Sequence, residues 1–323
     1  MSIEDFSQFV LTLYRLSHEL PLERFQDAAL QHLRQALPFD SSMWGTATSR
    51  PDGIHIHTIH LHEQPPEMLA SYEQIKHLDT AAVAAGLQPR TTLAFNARDW
   101  FHHREQAPLR EHGRRFEQAN FFISSEHDPR TRFVHWLTLF RADERARCAG
   151  DEQRLLAALS PHVMQALAFN RIAHLDRLEA SRRPAHGTSI ADPHGVIYHA
   201  DAGFESALRA EWAAWNGGTA LPPALLDHLR RGQARYLGVR AVVWHRVEQG
   251  LLFLGARPRC AADDLSPREL VIARLVAKGH THKEIARLLE RAPATIRNQI
   301  QGIYGKLGVG NIAGLVEALR PLD

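Results

Sequence analysis

Hydrophobic positions recur at helical spacing where the chain begins. In IEDFSQFVLTLYRLSHEL, Phe6, Phe9, Val10, Leu13 and Leu16 share one stripe of a 3.6-residue helix. Pro21 opens a second helix that runs to about Leu37, before Pro38. The period then drops to two. SSMWGTAT, a P-D-G turn at 51 to 53 and IHIHTIHLH together read as a hairpin. Helical or irregular chain is expected over roughly 65 to 118. ANFFISSE and TRFVHWLTLFR read as two more strands joined by the turn residues HDPR. The helical period returns in DEQRLLAALSPHVMQALAFNRIAHLDRLEA. There Leu155, Leu156, Leu159, Val163, Leu167 and Phe169 form the apolar pattern, and Pro161 marks a kink or restart.

This order predicts an α+β domain over 1–178. The polar, Pro- and Gly-punctuated SRRPAHGTS at 181 to 189 reads as a linker. SIADPHGVIYHAD then has strand–turn–strand character. ALRAEWAAW and ALLDHLRRG supply helices, and YLGVRAVVWHRVEQGLLFLGA folds back as a hairpin around Glu248-Gln249-Gly250. A reduced α+β region is therefore expected over 188–257, followed by a second linker, RPRCAADD, at 257 to 264.

The last segment carries the clearest start and stop signals. Ser266, Pro267 and Glu269 have the spacing of a capping box with proline at the first helical position; Leu265 can staple against Leu270, and Gly279 suits the stop. Leu270, Ile272, Ala273, Leu275 and Val276 face inward. Thr281 and Glu284 repeat the box, ahead of Ile285, Ala286, Leu288 and Leu289. Pro293 starts a third helix whose inward stripe is Ile296, Ile300, Ile303, Tyr304 and Leu307. Arg297, Asn298 and Gln301 point elsewhere. Asn311 caps a fourth helix. The expected whole is an α+β multidomain protein with an all-α four-helix C-terminal domain over 263–323.

Charge changes the picture only through its distribution. The 323 residues carry a formal charge of +2. From Leu265 to Asp323 there are nine Lys+Arg against five Asp+Glu, while the first 264 residues hold 29 basic and 31 acidic groups. A basic tail on a near-neutral body permits contact with a polyanion. The two cysteines, Cys148 and Cys260, are far apart and form no CxxC pattern, which argues against a zinc framework or disulfide scaffold. The start, MSIEDFSQFV, has no cationic leader, and no apolar run reaches bilayer length, so a cytoplasmic chain without membrane contact is expected.

The stretches LSPRE, AKGHTHKEIARLL, ATIRNQI and IYGKLGV, in that order over 265 to about 318, resemble the DNA-binding domain of the LuxR/FixJ-type transcription regulators. The resemblance implies a helix-turn-helix module on double-stranded DNA, acting as a homodimer on two half-sites. Its third helix, 293 to 306, would enter the major groove. Arg297, Asn298 and Gln301 match the family's base-facing positions. Lys283, Thr295 and Lys306 match or adjoin positions near phosphates, where contacts set register and affinity, and Arg291, standing in place of an apolar anchor, is within reach of a phosphate. Glu290, Arg291 and Ala292 depart from the family's usual small, apolar and Ser/Thr residues at the turn. Ala292 cannot cap with its side chain, at an expected loss of about 1 kcal/mol. That departure motivates an alternative, a protein-interaction adaptor whose module no longer serves DNA.

The remaining chain resembles sensor domains in the order of its elements: a GAF-like domain over 1–178 and a PAS-like or reduced α+β domain over 188–257. Such folds imply a small-molecule effector or partner. Trp44, Tyr72, Trp100, Phe121 and Trp136 are the aromatic candidates for an effector pocket, against the alternative of plain core packing. In IHIHTIHLH, strand alternation puts His55 and His57 on one face and His60 and His62 on the other, unless a bulge intervenes. Either pair suits a metal or a pH-sensitive patch, but no carboxylate or cysteine completes a ligand set locally, and neither metal nor cofactor is expected. HEQPP is not HExxH and no GxSxG elbow occurs, so no enzymatic activity is expected.

Overall fold

The computed structural model describes residues 1–50, 53–88, 90–128, 133–179 and 187–322. These form two compact units. One comprises Met1–Leu178 with Ile190–Tyr198 and Val247–Leu252; the other includes His199–Arg246 and Phe253–Asp323.

The first unit opens with α1 (Ile3–Glu19) and α2 (Leu22–Ala36). Ser2 caps α1 through a reciprocal box with Asp5, each backbone N–H donating to the other's side chain at 3.0 Å. Five strands follow among helices: β1 (Ser41–Arg50), β2 (Gly53–His62), α3 (Glu67–Ile75), α4 (Thr80–Leu87), β3 (Thr91–Asn96), α5 (Ala97–Trp100), α6 (Ala107–Arg115), β4 (Asn120–Asp128) and β5 (Phe133–Arg141). The long helix α7 (Gly150–Glu179) closes the unit with Pro161 inside it. The sheet order is β2-β1-β5-β4-β3, and its pairings are antiparallel.

Strand alternation divides the core in two. Trp44, Phe122, Leu137 and Leu139 face α1, α2 and α7, packing on Phe9, Leu13, Phe25, Leu33, Leu156 and Val163. Their sheet neighbours Phe121, Ile123 and Phe140 face the other way, into a cluster with Phe95, Phe101, Leu109 and Ala81.

The expected hairpin and the strand pair from ANFFISSE and FVHWLTLFR are present; Pro51 and Asp52 of one turn, and Pro129, Arg130, Thr131 and Arg132 at the other, lie outside the described residues. Three expectations need correction. The region 65 to 118 contains a strand, β3, whose six residues pair with β4 from Thr91↔Ser125 to Asn96↔Asn120; so short a run carries little periodic signal. Phe169 is 45% exposed and is not part of the buried stripe of α7. Residues 187–189, assigned to a linker, belong to β6 (Gly187–Ala191), while 181–186 lie outside the described residues.

Beyond β6 come β7 (Ile197–Ala200), α8 (Ala202–Glu211), α9 (Pro223–Arg230), β8 (Arg235–Leu237), β9 (Ala241–Glu248) and β10 (Leu251–Pro258). They give a second five-stranded sheet in the order β7-β6-β10-β9-β8. The expected hairpin turn places Gln249 at φ 50° and Gly250 at φ 70°, the left-handed pair that a two-residue hairpin loop requires. The supposed linker at 257 to 264 is ordered by its own contacts: Arg257 and Pro258 end β10, and Ala261–Asp264 form a 3-10 turn.

Both sheets use a glycine to seat an indole. Gly45 lies opposite Trp136, and a Cβ on Gly45 would sit 2.3 Å from the Trp136 ring and 2.7 Å from the Thr58 carbonyl oxygen. A Cβ on Gly255 would come 2.2 Å from the Trp244 ring. The bare backbone leaves space that the aromatic ring covers. We expect Gly45→Ala to cost about 1–3 kcal/mol by forcing Trp136 off its position; urea unfolding followed by tryptophan fluorescence measures it, and an unchanged midpoint would show that the ring relocates freely.

Candidate functional site

The C-terminal helices are α10 (Pro267–Ala277), α11 (His282–Leu288), α12 (Pro293–Leu307) and α13 (Ile312–Leu319). Both capping boxes form: Glu269 N–H donates to Ser266 Oγ and Ser266 N–H to Glu269 Oε2; Thr281 and Glu284 repeat the exchange. Gly279 ends the first helix at φ 89°, and Asn311 caps the last through the Gly314 N–H. Ile272, Ala273 and Val276 from α10 pack with Ile285 and Ala286 from α11, Ile296, Ile303 and Leu307 from α12, and Leu315 and Leu319 from α13. Leu288, expected inside, is 59% exposed.

The turn between α11 and α12 explains why a small residue suits it. Glu290 sits at φ 50°, in the left-handed region that glycine adopts without strain. Arg291 N–H bonds back to the Ala286 carbonyl at 2.9 Å, which closes the turn. Ala292 is the N-cap of α12 and makes no side-chain capping bond, as the sequence predicts.

Arg297, Asn298 and Gln301 are all exposed on α12, while Ile296, Ile303 and Leu307 of the same helix are buried. The i, i+1, i+4 spacing keeps the three polar side chains to one side. Beside α12 an open groove of about 940 Å³ is lined by Lys283, Arg291 and Thr295, three of the four residues expected near phosphate. The groove also brings in Arg268 and Arg287, which sequence reasoning did not single out, with Glu290 and Gln299. Arg268 comes from α10, so only the folded chain places it here. Lys306 is the exception: its Nζ donates to both carboxylate oxygens of Glu269 at 2.8 Å. The ammonium and Ser266 hold Glu269 down to about 2. Lys306 thus ties α12 to the capping box of α10 in the free chain, through a side chain that remains half-exposed.

The five aromatic candidates of the first unit do not converge. Trp44 is 1% exposed and belongs to the core between the sheet and α1, α2 and α7. Trp136 covers Gly45. Tyr72, Trp100 and Phe121 do gather around the opposite sheet face: Tyr72 and Phe121 share the cluster with Phe95, and Trp100 meets the Phe95 ring edge-on at 4.8 Å. Consecutive residues join them. Tyr72 Oη donates to Asp79 Oδ2 at 2.7 Å, while Asp79 Oδ1 caps α4 by accepting from the Ala81 and Ala82 N–H groups. Next in sequence, Thr80 Oγ1 accepts from Trp100 Nε1 and from Gln106 Nε2, each at 3.0 Å. Gln106 is buried, and its Oε1 has no hydrogen-bond partner.

Burial raises the Asp79 carboxyl above its usual range against the pull of the Ala82 N–H and Tyr72 hydroxyl, and burial and then Asp79 push the Tyr72 phenol up. The aspartate ahead of the alanine-rich α4 was a legible N-cap signal; Gln106 had none.

In β2, a bulge opposite Thr46 and Ala47 interrupts the alternation, so the regular two-face division of the histidines holds only beyond it. His60 and His62 pair with Trp44 and Ser42 and share one face. His57 lies beside Thr48 and Asp192. The His55 side chain falls outside the described residues.

No helix among the described residues is long and apolar enough to cross a membrane. No curated protein matches this sequence. Among solved structures, Escherichia coli SdiA aligns at 17% identity over 98% of this chain and 96% of its own, with a TM-score of 0.39. CepR2 of Burkholderia cenocepacia, an N-acylhomoserine-lactone-dependent LuxR-family factor, aligns at 20% identity over 52% of this chain and 98% of its own, with a TM-score of 0.38. The VqsR ligand-binding domain of Pseudomonas aeruginosa gives 14%, 52%, 98% and 0.36. At those scores the likeness assigns neither fold nor ligand to the larger part of the chain. Residues 263–319, which span the four C-terminal helices, match the family model of the bacterial regulatory proteins, luxR family.

Proposed function

We propose that this chain is a sequence-specific DNA-binding transcription regulator whose activity is set by a small molecule or partner bound by its N-terminal region. One observation carries the reading: within a module matching the luxR family, α12 exposes Arg297, Asn298 and Gln301 beside a groove lined by four cationic side chains. Arginine fits the guanine edge and asparagine or glutamine the adenine edge. Lys283, Arg268, Arg287 and Arg291 would neutralise phosphates, which gives affinity and salt dependence without sequence selection. Two copies on paired half-sites would share the binding work.

The division into a GAF-like domain over 1–178, a PAS-like domain over 188–257 and a DNA-binding domain over 263–323 belongs to the same reading. So does the effector region, which narrows to Tyr72, Trp100 and Phe121 with the polar groups of Asp79, Thr80 and Gln106. Native mass spectrometry of freshly purified protein tests it: a retained small molecule, lost when Tyr72 and Trp100 are replaced by alanine, supports this location.

Selection of genomic fragments by gel shift tests the DNA reading. Arg297→Ala and Asn298→Ala should each cost about 1–3 kcal/mol of discrimination between the preferred site and its single-base variants. Arg287→Ala should weaken binding to every fragment alike and lower its salt dependence. If the folded chain retards no fragment at low salt, or if both α12 variants keep the parent's site preference, the reading is lost.

A further inference from the structure

One face of β2 and the wet side of α2 converge on a group that the sequence kept apart. His60 Nε2 lies 2.9 Å, and His62 Nδ1 2.8 Å, from the same oxygen of Asp27, Oδ1. The three potential ligand atoms all lie within 4.8 Å of one another. The carboxylate absent from the local sequence is thus supplied by a helix 33 and 35 residues away. His60 and His62 stand two apart on a regular stretch of strand, beyond the bulge, so both rings leave the same side of the sheet.

Exposure is graded across the group. The His62 side chain is 4% exposed, His60 23% and Asp27 48%, so one ligand is rooted in the protein and the carboxylate meets solvent. Burial raises the Asp27 carboxyl, but hydrogen bonds from His62 and His60 outweigh it and hold the group below the usual carboxylate range. Two imidazole nitrogens and one carboxylate oxygen suit borderline divalent ions of the first transition row.

We propose that Asp27, His60 and His62 form a binding site for a divalent first-row transition-metal ion, with water in the remaining coordination positions. Ligand distances of about 2.0–2.2 Å would require only a small widening of the present contacts. An ion would take the place of the protons now shared between the imidazoles and Asp27, and would brace α2 against β2.

Zinc is the probe. The full chain, stripped with a chelator and dialysed, is titrated with zinc chloride by calorimetry, alongside Asp27→Asn, His60→Ala and a control, His102→Ala/His103→Ala. The control removes an adjacent exposed histidine pair with ring centroids 4.1 Å apart. Asp27 and His60 are partly exposed, so their replacement leaves the core closed, and circular dichroism checks it. The expected result is one zinc per chain, unchanged in the control and weakened in each site variant by more than the roughly 10–100-fold that losing an outer-shell partner alone produces. X-ray absorption should give a nitrogen and oxygen shell near 2.0–2.1 Å without sulfur. The proposal is overturned by the absence of stoichiometric binding, by affinity in Asp27→Asn and His60→Ala equal to the parent's, or by loss of binding in the control alone; any of these leaves a plain hydrogen-bonded triad. DNA binding enters none of these readouts, so the regulator reading stands or falls separately.

Discussion

Replacing Asp263 with alanine is expected to destabilise the C-terminal unit by about 3–5 kcal/mol, because it leaves a buried guanidinium without its counter-charge. The Asp263 side chain is fully buried, and that of Arg257 is 6% exposed. Arg257 grips the carboxylate with both terminal nitrogens, at 2.6 Å and 2.5 Å, and Arg235 joins the same Oδ1. The Cys260 N–H donates to Oδ2 at 3.0 Å, so the carboxylate also starts the 3-10 turn that leads into α10. Burial alone would raise this carboxyl; the arginines and the backbone donor overcome it and hold Asp263 at about 2.

Removing both charges is a different experiment. In Asp263→Leu/Arg257→Met no charge stays buried, and Arg235 is exposed enough to be solvated, so most of the loss should be recovered. Urea unfolding with hydrogen exchange over residues 265–319 reads both variants. A loss below 1 kcal/mol in Asp263→Ala would mean that water reaches Arg257 and that this segment is a tether rather than a lock.

Acid should weaken the first unit well above the carboxylate range. Burial, assisted by Arg115, pushes His112 down to about 4, and burial, assisted by Arg171, does the same to His135. In the unfolded chain both titrate at the ordinary 6.5. Between those values the unfolded state binds more protons than the native state, so stability is full above pH 6.5, falls as pH drops towards 4 and levels below it. The gap corresponds to about 3 kcal/mol per histidine as an upper value. Asp79 works in the opposite sense, since its raised carboxyl takes up a proton more readily when folded, and it offsets part of the loss. Urea midpoints at pH 7.5, 6, 5 and 4.5 measure the slope. His112→Gln, which keeps a polar partner for Ser71, should flatten it by about half. A flat profile in the parent would show that both imidazoles accept protons in place.

The two units differ in how far they can be read without coordinates. In the C-terminal module the informative contacts are short in sequence. Ser266 with Glu269 and Thr281 with Glu284 are three residues apart, and Gly279 and Asn311 act on their own helix ends. Helix boundaries and the wet side of α12 follow from such spacing because a helix turns through a fixed angle per residue. The same periodicity misplaced Leu288, since it marks a stripe without its width.

In the sheet, alternation separates Phe122 from Phe121 by parity, but parity does not say which face carries the closed core. That choice depends on where α1, α2 and α7 land. The caps, and the helices and strands long enough to show their period, were therefore determined by the sequence itself, through interactions spanning a few residues; the short β3 and the burial of Phe169 and Leu288 were not. The meeting of Asp27 with His60 and His62, the capture of Lys306 by Glu269 37 residues away, and the arrival of Arg268 beside Arg291 were decided only by the tertiary structure. Each needs two elements to pack before the side chains come within reach, and no local periodicity records that packing.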